Sequence, residues 1–316
     1  MILKGSEEEK LFEAIENKDV EKIKSILNNS NENNKILNLN EKDILGDYPL
    51  LEAIEKNNFK IVKLLIDYAN QHQFILELNE KNEYGNYPLL LAISTKNIEI
   101  VKLLIEYANQ NQIILKLNEK NSYFGNYPLY EATSINNIEI VKLLMEYANQ
   151  HQITLELNEK DEDGNYPLLR IISWNNIEIF KLLIEYANQH QIILELNEKN
   201  KYGEYLLLRA ISIDNIEIVK LLIEYALQHQ IILEMNKKNK DGNYPLLWST
   251  SKNNIEIVKL LIEYANRHQI ILELNEKNNG YYPLLWAISN KNVEMVQLLI
   301  YYANQHQVIL ELNEKK

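Results

Sequence analysis

GNYPLL, residues 242–247, and NIEIVKLLIEY, residues 254–264, are the two segments that decide the fold of this chain. Copies of the pair recur along the sequence, and the tyrosine of the first segment marks each copy. This anchor tyrosine stands at Tyr48, Tyr87, Tyr127, Tyr166, Tyr205, Tyr244 and Tyr282, so successive copies are 39, 40, 39, 39, 39 and 38 residues apart. A fixed period of this size is typical of a solenoid, in which each repeat buries its apolar face against its neighbours.

Composition and charge exclude several classes of protein. The formal net charge of −12 opposes binding to a phosphate backbone, which depends on Lys and Arg. The chain has no cysteine, so disulfides, Cys-ligated zinc and thiol catalysis are excluded. Residues 1–10 turn acidic where a signal peptide needs an apolar core, and the sequence requires no membrane span. We therefore expect a cytoplasmic or nuclear protein with neither a nucleic-acid nor a membrane partner.

Each repeat predicts two helices and a connector. Proline suits the first turn of a helix, so helix A begins at Pro88 and its equivalents and runs to about Thr95. Helix B begins at Ile98 and, with no glycine to stop it, is expected to continue through Gln112. The helical period then fails, and residues 113–117 are expected to be extended.

Helix B is apolar except for one narrow polar stripe. Its polar residues Glu99, Lys102 and Glu106 follow at steps of three and four, which places them on one side. Such a helix is flanked on several sides, as an interior element of a stack is. Within the stripe, Lys102 is predicted to pair with Glu99 and Glu106.

The sequence is organised as a cap followed by an array. Residues 6–30 have apolar residues at helical spacing on two short segments and predict two amphipathic helices. We assign residues 1–45 to an N-terminal capping half-repeat and connector. Residues 46–316 are assigned to seven tandem repeats that form one continuous all-α domain with short turn connections.

The pattern GxYPLLxAI followed by IEIVKLLI resembles the ankyrin repeat, whose helix A opens with TPLHxA. The resemblance covers roughly residues 6–316. It implies an elongated, curved helix-turn-helix solenoid that binds a protein partner through its concave groove and has no catalytic activity. A family resemblance does not identify the ligand.

Two departures from the family pattern change what is expected of the packing. The family threonine is tyrosine here and its histidine is leucine, as at Leu90, so apolar packing is expected to replace the polar network between repeats. The repeat also has about 39 residues where the family has about 33. The excess falls at residues 107–117, and that side of the stack is expected to be thicker.

Histidine recurs at one position in six repeats, at His72, His151, His190, His229, His268 and His306. Zinc sites use three or four protein ligands, whereas helices about 8 to 10 Å apart bring at most two of these rings to one ion. No metal site is predicted, and a pH-responsive sensor built on this histidine column is kept as an alternative function. Carboxylate pairs repeat identically along the chain and the glycines stand singly, so neither an active site nor a cofactor is predicted.

The candidate binding site is found at positions where the repeats differ. Eight residues after the anchor tyrosine, three central repeats carry Ile135, Trp174 and Ile213, which predicts an apolar groove. Charged residues stand one helical turn earlier, and aromatic residues occupy the turn tips. Trp, Tyr and Arg dominate binding hot spots. The predicted partner-binding residues are Tyr84, Tyr123, Phe124, Glu131, Ile135, Arg170, Trp174, Tyr202, Arg209 and Ile213.

Two further readings of the array stay open. A purely architectural spacer is the third functional alternative. Residues 312–316 stop where another repeat would begin, and no polar capping unit follows them. A monomer is expected, with end-to-end association at the C-terminal repeat as the alternative.

Overall fold

A computed structural model describes residues 5–32 and 35–311, which contain sixteen α-helices and no strand apart from an isolated bridge between Asn278 and Tyr281. Residues 312–316, from which the missing cap was inferred, lie outside the described residues, as do residues 1–4 at the acidic start. The chain forms two compact units, residues 1–156 and 157–316. The assignment of residues 46–316 to one continuous domain stays a prediction.

All described repeats have the same two-helix plan. The first unit contains the N-terminal pair α1 (Glu7–Glu16) and α2 (Val20–Glu32), then α3 (Pro49–Glu55), α4 (Phe59–Gln71), α5 (Pro88–Ser94), α6 (Ile98–Gln110), α7 (Pro128–Ser134) and α8 (Ile138–Gln150). The second unit contains α9 (Pro167–Ser173), α10 (Ile177–Gln189), α11 (Leu206–Ser212), α12 (Ile216–Gln228), α13 (Pro245–Ser251), α14 (Ile255–Arg267), α15 (Pro283–Ser289) and α16 (Val293–Gln305). From α3 onwards, odd numbers are helices A and even numbers are helices B, so the all-α prediction is confirmed.

Helix A begins and ends as predicted. Pro88 opens α5 after Tyr87, whose backbone is extended. The turn to helix B uses Lys96 in the left-handed region, at φ 59°. Asn97 then caps α6, because its Oδ1 accepts a hydrogen bond of 3.2 Å from the backbone N–H of Ile100.

Helix B ends two residues earlier than expected. The prediction that α6 runs through Gln112 is wrong, because it ends at Gln110. Gln112 adopts φ 56°, and Ile113 donates its N–H to the Ala108 carbonyl at 2.8 Å. A left-handed residue thus stops the helix without a glycine.

The connector that follows each helix B is fixed by tyrosine hydroxyls. The ring of Tyr87 is buried, and its hydroxyl donates to the carbonyls of Lys116 and Glu119 at 2.9 and 3.0 Å. The helix B tyrosine bonds to the connector of the preceding repeat, because the Tyr107 hydroxyl accepts the N–H of Leu76 at 3.0 Å. Anchor-tyrosine bonds of this kind recur at Tyr48, Tyr127, Tyr166, Tyr205 and Tyr244. The helix B bonds recur at Tyr68, Tyr147, Tyr225, Tyr264 and Tyr302.

An asparagine side chain joins each connector to the next. Asn79 donates from Nδ2 to the Ile114 carbonyl at 2.8 Å, and its Oδ1 accepts the N–H of Lys116 at 3.0 Å. The same pair of bonds is made by Asn40, Asn118, Asn158, Asn197, Asn236 and Asn275. Because backbone polar groups need partners, these bonds allow the long connector to pack without forming a sheet.

These bonds correct the expectation that apolar packing replaces the polar network between repeats. The leucine that stands for histidine is indeed buried, as at Leu90. The anchor tyrosine makes no side-chain cap, but its hydroxyl bonds to the connector that follows helix B of its own repeat. The helix B tyrosine and the connector asparagine make the polar bonds between repeats, as Tyr107 does to Leu76 and Asn79 to Ile114, so the polar link is moved rather than lost.

The polar stripe of helix B also joins repeats. Lys102 lies 2.6 Å from Glu139 on the next helix B and 3.8 Å from Glu99 on its own helix. The predicted pairing is therefore correct in part, and its shorter bond is between repeats. These side chains are half exposed, so each pair contributes about 0 to 1 kcal/mol.

The histidine column is part of the packing between successive helices B. The His229 ring stacks on Tyr225 with ring centroids 4.1 Å apart, and its Nε2 lies 2.9 Å from Asn188 Oδ1 on the preceding helix B. An equivalent contact, each with its own asparagine one repeat earlier, is made by His72, His151 and His306. His268 is an exception, because Leu227 stands where its asparagine would be. Its Nε2 is buried without a hydrogen-bond partner among the described residues.

The turns before helix A form a second chain of side-chain bonds. Asn82 Oδ1 accepts the N–H groups of Tyr84 and Asn86, and its Nδ2 donates to Asp47 Oδ1 at 2.8 Å. Asp47 is only 6% exposed. Burial raises the pKa of its carboxyl to about 6; the charges of Asp43, Glu55 and Glu52 act in the same direction, and the Asn82 bond opposes them.

We predict that His229→Phe lowers the free energy of unfolding by about 1 kcal/mol relative to His268→Phe. Both changes keep an aromatic ring beside the helix B tyrosine. Only His229→Phe breaks a bond, whereas His268→Phe removes a buried orphan nitrogen. Urea denaturation of both variants measures the difference, and equal effects would contradict the assigned packing.

We predict that Asp47→Asn stabilises the chain near neutral pH by about 1 kcal/mol. The folded-state pKa of Asp47 lies above that of an unfolded aspartate, so Asp47 costs stability as pH rises from about 4 to about 6. The gain should therefore vanish at about pH 4. Asparagine keeps the acceptor for Asn82, and most other repeats carry it at this position.

Denaturation of this variant at both pH values is the measurement, with Asp67→Asn as the exposed control. A gain that does not change with pH would show that the buried charge is not its cause.

Candidate functional site

The first unit has a pocket of about 470 Å³ between the turn tips and the helices A. Its wall combines aromatic rings, two leucines, amides and one carboxylate. The lining residues are Tyr84, Asn86, Leu90, Leu91, Ser94, Asn121, Tyr123, Phe124, Asn126 and Glu131. Concave sites with an apolar wall and a few polar groups are the usual form of a binding site.

The aromatic cluster depends on an extra residue in one turn. The turn of residues 121–125 is one residue longer than that of residues 82–85, and the added length supplies the Tyr123-Phe124 pair. Asn121 Oδ1 organises it by accepting the N–H groups of Phe124 and Asn126, both at 3.1 Å. The Tyr123 ring centroid then lies 6.0 Å from that of Tyr84 and 5.9 Å from that of Phe124.

The two turns lie against each other at Gly85. Ser122 donates its N–H to the Tyr84 carbonyl at 3.0 Å. A Cβ at Gly85 would lie 2.4 Å from that Ser122 nitrogen, and Gly85 has φ 77°. Glycine is therefore required both by the conformation and by the contact that brings Tyr84 beside Tyr123.

The aromatic residues of this pocket are exposed and its carboxylate is half-buried. Tyr84, Tyr123 and Phe124 are 43%, 67% and 61% exposed. Glu131, on the first turn of α7, accepts a hydrogen bond from Asn126 Nδ2 at 2.8 Å. The first unit thus presents rings beside a negative charge.

The second unit has a pocket of about 400 Å³ of different chemistry. It is lined by Asp163, Asn165, Leu169, Arg170, Ser173, Asn200, Tyr202, Glu204, Arg209 and Asp241. Arg209 donates from Nε to Ser173 Oγ at 3.2 Å. Glu204 accepts from Asn239 Nδ2 through Oε1, while its Oε2 is buried without a partner among the described residues. Both signs of charge meet here, so this pocket favours a polar contact.

The structure brings the predicted site residues together in two groups and leaves three outside them. Tyr84, Tyr123, Phe124 and Glu131 line the first pocket, and Arg170, Tyr202 and Arg209 line the second. Ile135, Trp174 and Ile213 line neither, because each is the C-cap residue of its helix A. Trp174 is 54% exposed, which leaves its ring accessible to a partner.

Sequence reasoning missed several residues of both pockets. Leu90 and Asn126 stand at positions that most repeats share, and Leu91 stands at a variable position, but none of the three was predicted as a site residue. Glu204 could have been found, because it stands where four other repeats carry asparagine. That substitution leaves an unpaired carboxylate oxygen in the second pocket.

The described residues contain one acidic group with metal-like spacing. Ligand atoms of Asp47, Glu52 and Glu55 lie within 4.8 Å of one another. Lys56 Nζ lies 3.0 Å from Glu52, and Asn82 donates to Asp47. Protein groups already neutralise or bond Glu52 and Asp47, and no histidine of the column belongs to such a group in the described part of the chain.

No described helix combines the length and the apolar character that crossing a bilayer would need.

Comparison with solved structures shows the fold. The ankyrin repeat domain of Bcl-3, described as a unique member of the IkappaB protein family, is 18% identical in sequence, and the two superpose with a TM-score of 0.54. The match covers 79% of this chain and 97% of that domain. A search of curated proteins finds no match.

The family profile described as Ankyrin repeats (3 copies) matches residues 11–114, 110–193 and 226–309, which is well over half of the chain. Two-helix repeats joined by tight turns are the expected fold of that family, and they are what the structure shows. The chain therefore belongs to the ankyrin repeat family.

Proposed function

We propose that this chain is a non-catalytic scaffold that binds a protein partner on the face formed by its helices A and turn tips. Ankyrin repeats are generally protein-interaction modules. The observation that carries the proposal is the group of exposed rings around the first pocket, since Tyr84, Tyr123 and Phe124 are all accessible there. Exposed aromatic clusters with polar rims are typical of interaction sites.

The distribution of variation along the repeats supports the same face. The buried anchor tyrosines and the connector asparagines are repeated almost unchanged, because the stacking requires them. The turn tips and the exposed side of helix A change from repeat to repeat. Trp174 and Tyr202 extend the set of accessible aromatic residues into the second unit. A spacer without a ligand would have no need of exposed rings at these positions.

The histidine column does not favour the sensor alternative. Its rings lie against helix B tyrosines and, at His72, His151, His229 and His306, beside asparagines of the preceding repeat. These contacts explain why histidine recurs at this position without a role in signalling.

We predict that Tyr123→Ala/Phe124→Ala weakens partner capture by at least about tenfold, as expected for hot-spot side chains. The full chain is immobilised and used to capture partners from the native cell extract, and the affinity of the captured protein is then measured. Trp174→Ala tests the second unit in the same way. Tyr301→Ala, an equally exposed ring on a helix B, is the matched control.

Each variant must first show the thermal transition of the parent chain. Loss of capture by the Tyr123→Ala/Phe124→Ala variant, with capture by Tyr301→Ala unchanged, supports the proposed binding face. Unchanged affinity in both the turn variant and Trp174→Ala would place the binding surface elsewhere.

A further inference from the structure

We propose that the pocket of the first unit holds an arginine side chain of the partner, with the guanidinium between the Tyr84, Tyr123 and Phe124 rings and the Glu131 carboxylate. This inference rests on the proposed function and adds the chemistry of the anchoring residue. Its basis is the combination of accessible aromatic rings and one carboxylate in a single concave site.

The rings are arranged to receive a flat cation. The planes of Tyr84 and Tyr123 are inclined by 51°, and those of Tyr123 and Phe124 by 54°, so the rings are not stacked flat on one another. The face of an aromatic ring carries the negative part of its quadrupole, and all three residues are accessible. A cation within about 6 Å of a ring centroid is attracted by it.

Glu131 is the one charged residue among the described residues that line the pocket. Glu131 supplies the carboxylate, Glu83 is exposed beside Tyr84, and no lysine or arginine is among the described residues that line the pocket. The chain as a whole has a formal charge of −12, which adds a long-range attraction for basic partners. In the second unit, the positions equivalent to Glu131, four residues after the anchor tyrosine, carry Arg170 and Arg209 instead.

An apolar anchor fits the pocket less well than arginine. A leucine or phenylalanine from a partner would cover the Glu131 carboxylate and the amides of Asn86 and Asn126 without offering them a hydrogen-bond donor. Arginine brings five donors to those oxygens and stacks its planar group on the rings. Lysine supplies the charge but not the planar group, so arginine is the better fit.

The test uses N-acetyl-arginine N-methylamide as the probe and its citrulline counterpart, which has nearly the same shape but no charge. Both are titrated into the ¹⁵N-labelled full chain and followed by NMR. We expect the arginine probe to shift the backbone resonances of residues 84, 123–126 and 131, with at least about fivefold higher affinity than citrulline. High salt should reduce that difference.

Glu131→Gln is the decisive variant, because glutamine keeps an acceptor for Asn126 while removing the charge. It should lower the affinity for arginine by about fivefold and leave that for citrulline unchanged. Glu146→Gln, an exposed position on α8, removes the same charge elsewhere in the unit and should change neither.

Three results would overturn the inference: equal affinity for the two probes, equal effects of Glu131→Gln and Glu146→Gln, or no shift at these residues up to about 50 mM probe. The proposed function is tested separately by capture. If capture depends on Tyr123 and Phe124 while the probes are not distinguished, the binding face stands and the arginine anchor is wrong. If the probes are distinguished while capture is insensitive to those residues, the pocket accepts a guanidinium that the partner does not supply, so the arginine anchor is wrong; the binding face is wrong as well if Trp174→Ala also leaves capture unchanged.

Discussion

The hydroxyl of a buried tyrosine, bonded to the backbone of a neighbouring connector, is the interaction on which the rest of this structure depends. Each repeat has a connector with no helix and no sheet, so its backbone groups need partners from elsewhere. Anchor tyrosines such as Tyr87 supply donors, and helix B tyrosines such as Tyr107 supply acceptors. Connector asparagines such as Asn79 supply both. Burial raises the pKa of the anchor tyrosines, so they remain neutral donors.

This constraint separates the residues that build the stack from those that are free to differ. An anchor tyrosine bonds to the connector backbone of its own repeat, whereas a helix B tyrosine or a connector asparagine bonds to that of a neighbouring repeat. Replacing any of them would leave a backbone atom unpaired. The side chains at a turn tip are under no such constraint, provided that the glycine keeps its left-handed conformation and the asparagine keeps its bonds to the N–H groups of the turn. The extra residue before Gly125 is accommodated in this way, because Asn121 still bonds the N–H of Asn126. The longer turn then carries Tyr123 and Phe124 into the pocket.

Much of this fold could be predicted because it is dictated locally and repeated. Proline at helix starts and the spacing of apolar residues gave helix bounds within about two residues. The end of helix B was missed because Gln112 is not a residue type that signals a left-handed stop. The tyrosine bonds were missed because composition assigns a buried ring to apolar packing, whereas the hydroxyl acts on a backbone atom far along the sequence.

The sequence predicted which residue types form the candidate site better than it predicted which of those residues share a pocket. Variation between repeats pointed to Tyr123, Phe124 and Arg209, and all three line a pocket. It could not show that the pockets lie toward the turns, away from the C-cap end of helix A where Trp174 stands. That distinction depends on where a seven-residue helix begins and ends, and on which leucines of the scaffold face the cavity.

The most direct test of the tyrosine ladder is the equilibrium unfolding of Tyr205→Phe beside Tyr202→Phe. The Tyr205 hydroxyl is buried and donates to the carbonyls of Glu234 and Lys237 at 2.8 and 3.1 Å, whereas Tyr202 is exposed in the turn before the same helix. We predict that Tyr205→Phe lowers the free energy of unfolding by about 1 to 3 kcal/mol and that Tyr202→Phe leaves it unchanged. Equal stability of both variants and the parent chain would contradict the ladder as the basis of the stack.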